Sequence, residues 1–308
     1  MEYQSKVNKL YDDMTSAVRG SVLKDEPLKN HTYFKIGGPA SILVEPEDTE
    51  DLKIVLKLIK KHGVNCFIIG NGTNLLVADE GYKGAIVKVG EKFNYFERNG
   101  NNVVAGAGAL LSILAKFLAR EGLAGFEFAS GIPGYLGGAI YMNAGAYGGE
   151  MKQVVKSVKC IDFEGNIHEF SNEDMEFTYR HTKITDSEYI VLEAELELMT
   201  GNTDEIMAII RELNEKRTTK QPLNLPSAGS TFKRPVNGYA SKLIEDAGLK
   251  GLTYKGAMVS DKHSGFIVNY DNACCNDVLE LMRIVISTVR DKFGINLEPE
   301  IKILGARL

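Results

Sequence analysis

Two glycine-rich segments set themselves apart in this chain of 308 residues by what their backbone can do. The first, Gly70-Asn71-Gly72-Thr73-Asn74-Leu75, follows the apolar run Cys66-Phe67-Ile68-Ile69. The second runs from Ser130-Gly131-Ile132-Pro133-Gly134 through Gly137-Gly138 to Asn143-Ala144-Gly145-Ala146-Tyr147-Gly148-Gly149-Glu150. Glycine takes positive φ readily and lets main-chain N–H groups come close to a ligand. Successive N–H groups turned into one concavity bind anions, phosphate above all. Neither segment contains a lysine, so the pattern points to a long, diphosphate-bearing nucleotide cofactor held mainly by backbone. Two familiar phosphate motifs fail on the first segment. It matches G-x-G-x-x and then places Leu75 where a dinucleotide fingerprint needs its third glycine. No Gly-Lys-Ser/Thr follows, which removes the P-loop. A pair of tight turns between strands is the plain alternative for the first segment. It suits the second poorly, because so many glycines carry an entropic cost that needs a reason.

The elements that must position these loops are legible in the periodicity. A solvated helix is expected over about 1–20, with Val7, Leu10, Tyr11 and Met14 on one side, followed by a loop from Lys24 to Asn30. Ile42-Leu43-Val44 reads as a strand. Thr49 then caps a helix whose stripe is Leu52, Val55, Leu56 and Ile59 and which Gly63 ends. With the strand 66–69 this makes a β-α-β unit carrying the first glycine segment at the carboxyl end of its second strand. A second lobe starts near Glu91, with a strand at Val103-Val104, the turn Gly106-Ala107-Gly108 and a helix through Leu111, Leu114, Ala115 and Leu118. Val154–Ile161 and Ile167–Phe170 form a hairpin around Glu164-Gly165-Asn166. Ile190 to Leu198 alternates apolar and acidic residues, the pattern of a strand with one wet face. After Gly201-Asn202 come a helix over 203–220, a proline-broken loop at 221–226, a strand at 265–269, a long amphipathic helix ended by Gly294 and a strand at 301–303. The last hundred residues read as a compact α/β domain.

Four stretches taken together resemble the UDP-N-acetylenolpyruvoylglucosamine reductase family. They are the first glycine segment, Ser130–Gly134, Asn143–Gly148 and Ala228-Gly229-Ser230-Thr231-Phe232-Lys233-Arg234-Pro235. The likeness runs from Asn30-His31-Thr32 to Glu298-Pro299-Glu300. It implies an α+β architecture: a two-lobed FAD-binding domain of the vanillyl-alcohol-oxidase (PCMH) type followed by a small substrate-binding domain. The implied boundaries are an N-terminal helix and linker over 1–30, an FAD domain over 31–200 with lobes of about 31–90 and 91–200, and a substrate domain over 201–308. Only ten residues separate Tyr179-Arg180 from the strand at Ile190, so the chain resembles the shorter form of the family, without an extra tyrosine-bearing loop.

The resemblance implies chemistry in two halves. NADPH reduces FAD; the flavin then delivers hydride to the β-carbon of UDP-N-acetylglucosamine enolpyruvate, and the enolate left behind is protonated at its α-carbon to give UDP-N-acetylmuramate. Such a step needs a proton donor and groups that offset developing charge. By resemblance Ser230 is the donor, and Arg180 and Glu300 are the other catalytic positions; by position alone they read as a turn serine, a surface strand residue and a solvated charge before a strand. An arginine fork suits a carboxylate gaining enolate character. The cofactor contacts the resemblance implies are Gly70, Asn71, Gly72, Thr73, Asn74, Leu75, Gly108, Gly131, Ile132, Pro133, Gly134, Asn143, Ala144, Gly145 and Ile190. Arg217, Lys220, Lys233 and Arg234 are the expected substrate cations, although helix-end charge also accounts for Arg217. None of the five histidines lies in a glycine segment, so FAD is expected to be noncovalent.

Composition bounds the alternatives. A net charge of -5 and a pI near 5.7 argue against nucleic acid or an anionic membrane as partner. No apolar run approaches a membrane span, no signal peptide is visible, and Cys66, Cys160, Cys274 and Cys275 form no CxxC pair, so a reduced, cytoplasmic, monomeric protein without a metal is expected. The competing readings are an FAD-dependent oxidase of the same fold and a nonenzymatic flavin-binding module, neither of which needs the Ser230, Arg180 and Glu300 set.

Overall fold

A computed structural model of the chain describes residues 2–236 and 238–308. They pack into two compact units: Met1–Lys24, Ser41–Asn71 and Gly84–Arg217 form the first, and Asp25–Ala40, Gly72–Lys83 and Thr218–Leu308 the second. The second unit is therefore discontinuous, taking in two early segments that carry no compositional signal of belonging there.

In the first unit the helix Glu2–Ala17 buries Val7, Leu10 and Met14 against the helix Thr49–His62. The N-cap of the latter is Asp48, not Thr49: the Asp48 side chain accepts from the Asp51 N–H, and Thr49 is the first helical residue. A carboxylate serves here because it satisfies an orphan N–H and complements the helix dipole as well. Gly63 ends the helix at φ 60, as the sequence suggests. Asp51, fully buried, accepts the N–H groups of Arg19, Gly20 and Glu47, each at 2.9 Å, and so fixes the chain entering the unit. The expected loop at 24–30 is instead the strand Ser21–Pro27 followed by a 3-10 turn at Leu28–Asn30. That strand is an edge of a four-stranded sheet, ordered Ser21–Pro27, Pro39–Glu45, Tyr82–Lys88, Cys66–Ile69. Cys66–Ile69 runs parallel to Tyr82–Lys88, which intervenes between the two strands of the β-α-β unit.

A five-stranded antiparallel sheet, in the order Ile167–Ser171, Val155–Asp162, Tyr189–Glu197, Asn102–Gly106, Phe96–Asn99, is the second sheet of the first unit. Its central strand buries Ile190, Leu192, Ala194 and Leu196, while Glu193 and Glu195 pair with Lys159 and Lys156. Against it packs a short helix, Leu136–Tyr141, inside the second glycine segment. The glycines hid this helix. Gly137 is required there because a β-carbon would sit 2.9 Å from that of Ala107.

In the second unit three antiparallel strands, Thr253–Tyr254, Ala257–Val259 and Ile267–Asn269, pack with the helix Cys275–Phe293, which buries Val278, Leu279, Met282, Val285 and Val289 and ends at Gly294 with φ 69. Asp79 holds the start of that helix, accepting from the N–H groups of Cys275 at 2.8 Å and Asn276 at 3.2 Å. Leu75–Val77 pairs in parallel with Lys302–Leu304.

Candidate functional site

The first glycine segment leaves the strand Cys66–Ile69 and divides between the units after Asn71. In the first unit Asn71 donates its Nδ2–H to the Pro133 carbonyl at 2.5 Å, and Gly70 lies against the Tyr135 ring. The two glycine segments, sixty residues apart in sequence, are thus tied together by one side chain. In the second unit Gly72 has φ +63, and a β-carbon there would stand 2.0 Å from the His31 carbonyl oxygen, so only glycine fits. Its own carbonyl accepts the Tyr33 N–H at 3.0 Å. The N–H groups of Gly72 and Thr73 make no hydrogen bond among the described residues. Leu75 is buried and begins the strand Leu75–Val77, so what it can offer a ligand is backbone.

In the second glycine segment, a 3-10 turn at Glu127–Ala129 delivers Ser130, Gly131 and Ile132; the N–H groups of Ser130 and Ile132 are used within that turn. Those of Gly131 and Gly134 have no partner among the described residues. Ser130 is 5% exposed, yet its hydroxyl is unpartnered. An orphaned buried hydroxyl costs about 1–3 kcal/mol, a penalty that a bound polar group would relieve. Arg217, at the end of the Thr203–Lys220 helix, lays its stem on Gly131, where a β-carbon would lie 2.9 Å from its Cδ. It makes no ion pair among the described residues, and burial pushes its pKa down while Tyr147 pulls it up. A guanidinium stays charged in a protein, so a desolvated one calls for an anion. Within the first unit, the bare N–H groups of Gly131 and Gly134, the orphaned Ser130 hydroxyl and the desolvated Arg217 cation fit an anionic ligand such as a diphosphate. The Gly108 N–H is taken by the Phe93 carbonyl, a β-carbon at Gly108 would stand 1.8 Å from the Gly90 oxygen, and Ile190 is a buried strand residue.

Asn143, Ala144 and Gly145 follow the Leu136–Tyr141 helix. Asn143 is 1% exposed, with φ +43 and its amide engaged inside the protein. Gly145–Ala146 pairs with Gly149–Glu150 in a hairpin whose turn, Tyr147-Gly148, has φ 52 and 90.

Ser230 and Glu300 both lie in the second unit, and the fold brings them together. The Glu300 N–H donates to the Thr231 carbonyl at 2.9 Å, Lys233 N–H to the Glu298 carbonyl at 2.8 Å, and Phe232 bridges to Pro299. Asn74 braces the same segment, its Nδ2–H donating to the Glu300 carbonyl at 3.2 Å and its own carbonyl accepting from Lys302 N–H at 2.9 Å. The last residue of the first glycine segment before its strand therefore sets where Glu300 begins. Gly229, at φ +76, turns the chain so that Ser230 is part-exposed with no hydrogen bond among the described residues. Lys233 pairs with Glu298 at 3.2 Å and Arg234 lies over the Tyr239 ring at 4.5 Å, while Lys220 is exposed at its helix end.

Arg180 lies in the first unit, at the tip of a two-residue turn in which Thr178 and His181 exchange backbone hydrogen bonds at 3.0 and 3.3 Å. Its φ is +56, a conformation that costs a non-glycine residue energy and concentrates at functional sites.

The UDP-N-acetylenolpyruvoylglucosamine reductase C-terminal domain family matches residues 221–304, and the FAD binding domain family matches residues 40–171. The chain is 56% identical over 281 residues to the UDP-N-acetylenolpyruvoylglucosamine reductase of Clostridioides difficile, covering 91% of this chain and 92% of that one. The enzyme of the same name from Alkaliphilus oremlandii is 51% identical over 298 residues, covering 96% and 98%. The crystal structure of the reductase from Thermus caldophilus superposes with a TM-score of 0.79 at 34% identity, covering 93% of this chain and 99% of that one.

Proposed function

The chain belongs to the UDP-N-acetylenolpyruvoylglucosamine reductase family, and from that premise we propose how its own residues divide the reaction. It is an FAD-dependent oxidoreductase of peptidoglycan precursor synthesis, reducing the enolpyruvyl ether of UDP-N-acetylglucosamine with NADPH as co-substrate. FAD, when bound, would supply the hydride chemistry that links NADPH to the β-carbon of the enolpyruvyl group. The N–H groups of Gly70–Asn74 and Gly131–Gly134 hold it noncovalently. The Ser230 hydroxyl donates a proton to the α-carbon of the enolate. The Arg180 guanidinium holds the adjacent carboxylate as it gains charge, and Glu300 is the third catalytic residue, orienting the guanidinium or sharing a proton with the enolate. Lys220, Lys233, Arg234 and Arg217 meet the negative charges of diphosphate and carboxylate. The observation that carries this reading is the pairing of Thr231 with Glu300, which seats an unencumbered serine hydroxyl and a carboxylate-bearing residue side by side.

An FAD domain over 31–200 and a substrate domain over 201–308, a monomer, a cytoplasmic location and the absence of a nucleic-acid or membrane partner complete the reading. The net charge of -5 supports it, and among the described residues no helix is long and apolar enough to cross a membrane. The test is anaerobic turnover in deuterated water. NADPH should bleach the yellow protein, enolpyruvyl substrate should restore the colour, and the lactyl product should carry one solvent deuterium at its α-carbon. Rapid peroxide formation under air with no substrate-driven reoxidation would mark an oxidase instead. Denaturation should release all the yellow colour; colour left on the polypeptide would overturn noncovalent binding.

A further inference from the structure

The side chain of Asn143 does something the cofactor segment around it does not require. Its Nδ2–H group donates to the Thr178 carbonyl at 3.0 Å and to Glu150 Oε2 at 3.1 Å, and its Oδ1 accepts the Lys152 N–H at 3.0 Å. Both amide hydrogens and one lone pair of Oδ1 are thus engaged by protein. The Thr178 carbonyl is the one that also accepts the His181 N–H and closes the turn bearing Arg180. On the far side of that turn, the hydroxyls of Thr182 and Thr185 both donate to the Tyr141 carbonyl, at 2.9 and 2.8 Å. Tyr141 and Asn143 are two residues apart, at the end of the helix that leaves Gly131–Gly134. The Arg180 turn is therefore clamped at both feet to one short stretch of the second glycine segment. Two of the residues involved, Asn143 at φ +43 and Arg180 at φ +56, adopt left-handed backbone, so the geometry is over-determined by its hydrogen bonds.

We propose that Asn143 is a positioning residue for Arg180: its amide fixes the turn so that the guanidinium is held in register with whatever the second glycine segment binds. The proposal rests on the assignment of Arg180 to the substrate carboxylate. Misplacement of a charge-stabilising group by about 1 Å is enough to cost about 10²-fold in rate, which is why a clamp remote from the reacting atoms matters.

The test is a double-mutant cycle of Asn143→Gly and Arg180→Lys, read in both half-reactions. Asn143→Gly keeps the left-handed backbone and removes the amide. It should slow flavin reoxidation by substrate by about 10–100-fold, leave substrate KM within about threefold, and leave FAD affinity and flavin reduction by NADPH near wild type. In the Arg180→Lys background the same substitution should change reoxidation by less than about twofold, because the group it positions is already gone. Equal loss in both backgrounds, or loss of FAD binding, would overturn the proposal. If Arg180→Lys alone turned over like wild type, the Arg180 assignment would fall first, and a separate effect of Asn143→Gly would then belong to another group. Should Asn143→Gly not fold, Asn143→Asp retains the acceptor for Lys152 N–H but presents a carboxylate to Glu150 and the Thr178 carbonyl, and the same non-additivity is required of it.

Discussion

Replacing Ser230 with alanine separates proton supply from everything else the site does. The hydroxyl makes no hydrogen bond among the described residues, so its removal leaves no buried group unpaired. The turn around it is held by neighbours: Thr231 N–H on the Gly265 carbonyl at 2.8 Å, and Ile267 N–H on Thr231 Oγ1 at 2.9 Å. The expected change in folding stability is accordingly within about 0.5 kcal/mol, the range of substitutions that disturb no packing or buried bond. The kinetic cost is of another order. General acids contribute about 10²–10⁴-fold, equivalent to about 2.7–5.4 kcal/mol of barrier. Anaerobic stopped-flow traces of flavin absorbance resolve the halves. Reduction by NADPH should be unchanged within about twofold, and reoxidation by enolpyruvyl substrate should slow by that general-acid factor of about 10²–10⁴. Equal slowing of both halves, or reoxidation within tenfold of wild type, would refute the assignment of Ser230.

Arg180→Lys keeps the charge but loses the planar fork. It should raise the barrier to reoxidation by about 3–4 kcal/mol, with a smaller change in substrate dissociation constant from flavin absorbance perturbation. Near wild-type turnover would shift the role to Arg217 or Arg234. Gly72→Ala must either displace the His31 carbonyl, 2.0 Å from its β-carbon, or abandon φ +63. A loss of at least about 1–2 kcal/mol of stability in denaturant melts, together with weaker FAD binding, is expected. Burial pushes the thiols of Cys66 up to about 11 and of Cys160 and Cys275 to about 12. At pH 8 these should therefore resist a thiol reagent until the protein is denatured. Each folded pKa exceeds its unfolded value, so the neutral thiol is favoured by folding. The associated stability is complete below about pH 9 and declines as pH rises from there towards the folded values, which melts between pH 9 and 11 should show.

The glycine segments, the strand that feeds the first, and the glycines that end two helices were open to reading because each depends on local chemistry: positive φ at Gly63 and Gly294, or an apolar run such as Cys66–Ile69. What escaped depends on distant partners. Ser21–Pro27 is mostly exposed, charged and ends in proline, and only its place at the edge of a sheet makes it a strand. The Leu136–Tyr141 helix contains two glycines and declares itself only through close approach to Ala107. The candidate site divides the same way. Ser230 and Glu300 came from motif likeness, yet nothing local signals that Thr231 and Glu300 share a hydrogen bond. Asn143 stands among the expected cofactor contacts in the sequence, and its bond to Thr178, thirty-five residues on, leaves no trace there.

The pairing of Leu75–Val77 with Lys302–Leu304 imposes an order on synthesis. The two strands are more than two hundred residues apart and are joined as neighbours in a parallel ladder, a contact of high loop-closure cost. While a ribosome is making the intervening chain, the strand at 75–77 has no parallel partner, and Asn74 has no Glu300 carbonyl to brace. The first unit has every one of its segments by Arg217, but the second cannot close until residue 304 has emerged. Its early pieces, Asp25–Ala40 and Gly72–Lys83, must wait throughout for the C-terminal partners of Leu75–Val77 and Asn74. Four of the six residues of the first glycine segment belong to those pieces, so this protein should gain its tight grip on the flavin late, after release, and nascent chains stalled before residue 300 should remain colourless.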